Sequence, residues 1–202
     1  MSNEIDIMAS LLNQSPALIV AIPLLGAFLT PLIGRINSKL RNGFVVLTVL
    51  LTSFFVFLLS YDILTHKDSI MTYVFGAEDA GTPTIVRILF EVDAMSAFMI
   101  IIGAILAIVA VFYSLKFMKE YTGLDKFYTL VLLMIAGMFG MMMTGDMFNF
   151  FVFLEITSIA SCALIAFWTN KGESVYAGLK YIVVSTIGAL SVSYTHLTLP
   201  TN

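Results

Sequence analysis

GDMFNFFVFLEITSIASCALIAF, residues Gly145–Phe167, decides the fold class of this chain. After Asp146 it contains one charged side chain, Glu155, in a run otherwise apolar or small apart from Asn149. A transmembrane helix needs about 17–25 such residues, and this run is long enough. Glu155 stands nine residues past Asp146. At about 1.5 Å rise per residue it lies roughly 13–14 Å into a hydrocarbon core about 30 Å thick, near the midplane. A charge there costs about 2.5–3.5 kcal/mol or more, and a glutamate is too short to reach the surface. Glu155 must therefore be protonated, paired or hydrated. Ser158 and Cys162 follow at spacings of three and seven, on the same helix face. They are candidates to line a path beside Glu155. Taken singly, small residues of this kind more often serve close helix packing.

Outward from this run, five more segments qualify as spans, giving six in all: 17–33, 44–61, 94–115, 127–143, 147–168 and 175–192. Composition agrees. Hydrophobic residues are 59% of the 202 and charged residues 11%, against about 25% charged in a soluble domain. Too few charges remain to cover a soluble surface. The mean hydropathy is +0.99. The net charge of −3 offers no basic field for nucleic acid. Cys162 is the single cysteine, so no internal disulfide forms. The acidic start, with Glu4 and Asp6, does not suit a signal peptide, so the first run reads as a retained span. Pro23 inside that span predicts a kink.

The connections after spans one, three and five carry Arg35, Lys39, Arg41, Lys116, Lys119, Lys126 and Lys171. Those after spans two and four carry only Lys67 and Arg87, among acidic residues. Seven against two predicts the N-terminus outside and the basic connections in the cytoplasm of a multi-pass protein of the cell membrane.

Lys180, in YAGLKYIVVSTIGAL (Tyr176–Leu190), is the second charge within a span. It stands about five residues in, where a lysine can also snorkel to the surface. The axial gap between it and Glu155 comes to roughly 12 Å, too long for a static ion pair. Asp93 and Asp146 each open a span and read as helix N-caps. The methionines of GMFGMMMTGDMF (Gly137–Phe148) read as lipid-facing packing, and His66 as a solvated loop residue. No phosphate loop, CxxC pair, HExxH or nucleophile elbow is present, and nothing suggests a redox cofactor or a metal site.

The glutamate span with its GD-F-N approach, the LKY span after it and VDAMSAFMIIIGAI (Val92–Ile105) together resemble the antiporter-like proton-channel family, over about Val92–Val192. That family includes the D subunit of Mrp-type sodium/proton antiporters and the large membrane subunits of respiratory complex I and of energy-converting hydrogenases. The resemblance implies an all-α membrane fold of about fourteen spans in two inverted repeats, of which this chain would hold an incomplete first part. It implies proton translocation, with sodium exchange as the alternative coupling, in a complex with other membrane subunits and with no cofactor in this chain. The parent complex would be an antiporter, or an oxidoreductase or hydrogenase that pumps. By motif, Glu155 takes the place of the family's intramembrane glutamate and Lys180 that of a sixth-span lysine. The family's seventh-span lysine has no counterpart here. Two other readings stay open: a structural membrane subunit that transports nothing, and an unrelated secondary transporter. Finally, SYTHLTLPTN (Ser193–Asn202) breaks the apolar run. It is expected to be non-native sequence that packs against nothing and does not continue the sixth span as a helix.

Overall fold

The computed structural model describes residues 2–65, 70–75 and 88–198. His66, Lys67 and Arg87, weighed above, and the last four residues of the Ser193–Asn202 tail lie outside the described residues. Six helices appear among the described residues, all long and apolar enough to cross a membrane: α1 (Ser2–Ile36), α2 (Ser38–Thr65), α3 (Ala94–Phe117), α4 (Leu124–Met143), α5 (Met147–Ile165) and α6 (Gly172–Thr198). A hairpin, β1 (Met71–Phe75) with β2 (Ile88–Val92), precedes α3.

Several features differ from the sequence reading. Residues 34–43 (GRINSKLRNG), which fall between the first two spans read from the sequence, are helical except at Asn37, whose side-chain oxygen accepts from Lys39 N at 2.9 Å to cap α2. Arg41, expected as a loop charge, is therefore helical and buried. The hairpin was not expected. Its β-branched and aromatic residues (Met71-Thr-Tyr-Val-Phe, Ile88-Leu-Phe-Glu-Val) favour strands. They lie in an acidic connection that hydropathy alone reads as a loop. α1 carries Pro16, Pro23 and Pro31 within one continuous helix. Each proline frees a carbonyl four residues back, and the one freed by Pro16, Leu12 O, accepts from Ser15 Oγ at 2.6 Å.

The methionine reading is also corrected. Met143 is fully buried, and Met142 packs against the core rather than facing lipid. The tail expectation is corrected in part. α6 runs without a break through Ser193 to Thr198, because nothing before Pro200 withdraws a helical N–H or enforces a turn.

The helices do not pack in chain order. α1 lies against both α2 and α4, α3 against α2, α5 against α4, and α6 against α5. The core sits among α1 to α4 and β2, built from Ile19, Val45, Leu59, Ile100, Leu132 and Phe139 with Phe90 and Val92. α4 and α5 come close because glycines face the contact. A Cβ on Gly137 would meet Phe153 O at 3.0 Å and Thr157 N at 3.1 Å, and one on Gly140 would meet the Phe153 ring. Small residues at such crossings let backbones approach in lipid.

The connections segregate by end. Phe90 bridges Thr144, and Gly145 N donates to Leu89 O at 3.1 Å, so the α2–α3 and α4–α5 connections meet. At the other end Arg41 joins Asp125, and Phe127 meets Phe167, so the remaining three connections meet. All seven basic residues counted for the odd-numbered connections gather at this second end.

Candidate functional site

α5 positions the intramembrane glutamate. Asp146 caps it, accepting from Phe148 N at 3.3 Å, as Asp93 caps α3, accepting from Ser96 N at 2.7 Å. The Ser96 backbone N–H, then the Ser96 hydroxyl, hold the Asp93 carboxyl below the usual carboxylate range against a weaker effect of burial. The hairpin secures the approach to α5: Thr144 and Gly145 pair with β2, and the Phe90 ring lies 6.0 Å from that of Phe153.

Glu155 falls near the middle of Met147–Ile165. Eight residues precede it and ten follow it within the helix, roughly 12 and 15 Å of rise. Its Oε1 is buried and has no hydrogen-bond partner among the described residues. The α5 face toward α4 is set by Phe153 and Thr157. Glu155 is two residues from each, so it projects about 200° away from both, toward the α6 side.

The contacts between α5 and α6 fix their register. Ser158 Oγ and Ser185 Oγ share a hydrogen bond of 2.8 Å, and Cys162 Sγ donates to Gly178 O at 3.2 Å. Near the turn, Ser174 Oγ donates to Ile165 O at 2.6 Å. In this antiparallel pairing the position opposite Glu155 falls close to Gly188, where an added Cβ would meet nothing within 4 Å. Ser158 and Cys162 do share the Glu155 face, as the spacing predicted. Each uses its polar atom to hold α6.

Lys180 is not brought to Glu155. It stands level with Cys162, about seven residues or 10 Å along the axis from the glutamate. Two residues past Gly178, it also points away from α5. It is exposed at the edge of a shallow groove with Ala177, Tyr181 and Val184, its Nζ 4.6 Å from the Tyr176 ring centroid. No ion pair joins the two among the described residues, in line with the long axial gap expected.

One charged site escaped the sequence reading. Arg41 Nη1 lies 2.6 Å from Asp125 Oδ1, with its guanidinium 5.6 Å from the Tyr128 ring and two further hydrogen bonds to Asn42 Oδ1. This pair ties α2 to the start of α4 beside Gly34 of α1. A separation of 84 positions gives no local signal for it.

Residues 144–199 match the family model described as NADH:quinone oxidoreductase/Mrp antiporter, transmembrane. The chain is 33% identical over 176 residues to NADH-quinone oxidoreductase subunit N of Desulforudis audaxviator, a match covering 86% of this chain and 34% of that protein. It is 24% identical over 173 residues to Na(+)/H(+) antiporter subunit A1 of Staphylococcus haemolyticus, covering 86% of this chain and 21% of the relative. Among solved structures it superposes on a chain of the membrane-bound sulfane sulfur reductase, an archaeal respiratory membrane complex. There the TM-score is 0.74 at 32% identity, covering 87% of this chain and 35% of that one. The chain thus spans about a third or less of the length of these relatives.

Proposed function

We propose that this chain, an antiporter-like membrane subunit related to components of NADH-quinone oxidoreductases and Mrp antiporters, moves protons within a multisubunit ion-pumping membrane complex. The observation that carries the reading is the Glu155 carboxyl. It sits midway along a span with a buried oxygen that has no hydrogen-bond partner among the described residues. A carboxylate without a donor in low dielectric is expensive, and the neutral acid is far less so. A cation brought close reverses that balance. A group so placed takes up or releases a proton as nearby charge moves.

Lys180 is the proposed partner. Its offset from Glu155 means that water, helix motion or an intermediate group must link them. The two would then titrate as one coupled system. Ser158 and Cys162 would flank the path while bracing α6. Protons are the proposed cargo, with sodium exchange as the alternative coupling. The N-terminus is proposed to lie outside, which puts the lysine-rich end in the cytoplasm.

A non-transporting structural role has its own support, since the Ser158–Ser185 and Cys162–Gly178 bonds show this face gluing two helices. Glu155→Gln in the full-length protein within its complex separates the readings. The amide keeps shape and hydrogen bonding but does not titrate. Proton translocation should be lost while the complex still assembles, and Lys180→Ala should impair translocation more mildly. Normal pumping by Glu155→Gln would leave the structural role standing.

A further inference from the structure

At the lysine-rich end, a cavity of about 560 Å³ opens between the start of α4 and the end of α5. Lys126 and Lys171 stand at its rim. The α4 N-terminus opens into it through Gly123, whose φ of 80° suits glycine and which supplies no side-chain cap. The positive end of that helix dipole adds to the two ammonium groups. No carboxylate is among the lining residues. Asp125, next in sequence to Lys126, is already committed to Arg41.

The deeper wall is of a different character: Leu130, Ala163 and Ala166, along the apolar stretches of α4 and α5. Aromatic rings mark the boundary between the two. Tyr121 and Trp168 line the cavity with centroids 5.7 Å apart, and Lys171 Nζ lies 5.3 Å over the Trp168 ring. The ring series continues back along the end of α3 through Phe117 and Tyr113. Such belts sit at headgroup level in a bilayer. The cavity therefore has a doubly cationic mouth at headgroup depth and an apolar floor at acyl-chain depth.

We infer that this cavity binds an anionic phospholipid, its phosphate held by Lys126, Lys171 and the α4 N-terminus, and an acyl chain lying along Leu130, Ala163 and Ala166. Free inorganic phosphate would satisfy the mouth but leave the apolar floor without an occupant. Basic pockets between transmembrane helices hold lipid headgroups in this manner.

Trp168 is the only tryptophan in the chain and forms part of the cavity wall, so its fluorescence reports occupancy directly. The full chain is reconstituted in phosphatidylcholine vesicles, and brominated phosphatidylglycerol or brominated phosphatidylcholine is titrated in as a quencher. Phosphatidylglycerol should be preferred about 25-fold at low salt, since each of the two lysines contributes about fivefold toward an anionic lipid. Lys126→Ala with Lys171→Ala should bring the preference close to one. Lys116→Ala with Lys119→Ala, exposed at the same end but outside the cavity, should leave it unchanged. Equal quenching by the two lipids, or equal loss from both pairs of variants, would overturn the assignment. Abolition of the preference by millimolar inorganic phosphate would identify free phosphate as the occupant and overturn the lipid reading.

Discussion

Gly137→Ala should destabilise the chain although alanine is the better helix former. Alanine gains about 1 kcal/mol over glycine in a helix interior. At Gly137 the new methyl would lie 3.0 Å from Phe153 O and 3.1 Å from Thr157 N, and would collide with Thr157 Oγ1. The hydroxyl can rotate away, but the other two atoms are α5 backbone. Restoring ordinary contact therefore needs α4 and α5 to separate by about half an ångström along most of their crossing. Overpacking of this kind costs typically 1–3 kcal/mol, which outweighs the propensity gain over most of that range. Gly43→Ala on α2 is the matched control, since an added Cβ there meets nothing within 4 Å. The control should be neutral or gain up to about 1 kcal/mol. Subtracting the shared propensity term leaves a gap of about 1–3 kcal/mol between the two variants. Equilibrium unfolding in mixed micelles, followed by far-UV circular dichroism, measures both. If Gly137→Ala were as stable as Gly43→Ala, the close α4–α5 crossing, and the placement of Glu155 built upon it, would be refuted.

Asp125→Ala should cost about 2–3 kcal/mol in the same assay. It strands the buried Arg41 guanidinium, but the exposure of Asp125 and the two bonds to Asn42 keep the loss below that of a fully buried pair. Adding Arg41→Met should recover part of that loss, and a simple sum of the two single effects would refute the pairing. Asp93→Ala should cost about 1 kcal/mol at neutral pH, as removal of an N-cap does, and Asp93→Asn much less. Because the folded-state value is lowered, the Asp93 contribution is present above its unfolded value of about 3.9 and lost as pH falls through the folded value. The wild-type difference from Asp93→Ala should accordingly vanish in acid, as unfolding midpoints across pH would register. For topology, single cysteines at Asn37 and Ala80 in a Cys162→Ala background should be inaccessible and accessible, respectively, to an impermeant external reagent. The reverse pattern would invert the proposed orientation.

Glu155 and its helix were legible in the sequence because hydropathy is additive along the chain and one charge in an apolar run stands out. The same additivity supplied the six spans, and local capping chemistry supplied Asp93 and Asp146. The face shared by Glu155, Ser158 and Cys162 followed from helical periodicity alone. The lateral arrangement did not, since α1 sits between α2 and α4 through side-chain fit across long separations. The hairpin was missed because its strands are too short to stand out in a long polar connection. Met143 was misread because apolarity does not distinguish a core from lipid, and Arg41 because a charge at a span's edge looks the same whether solvated or paired. The direction in which Lys180 points depends on which face of α6 packs on α5. That choice is made by Gly178 and Ser185, the small residues that meet Cys162 and Ser158 of α5. Sequence thus determined what each segment must bury and how deep each charge must lie, since both depend on one helix and its solvent. Only tertiary structure decided which faces meet, because that depends on the joint fit of surfaces that no single segment contains.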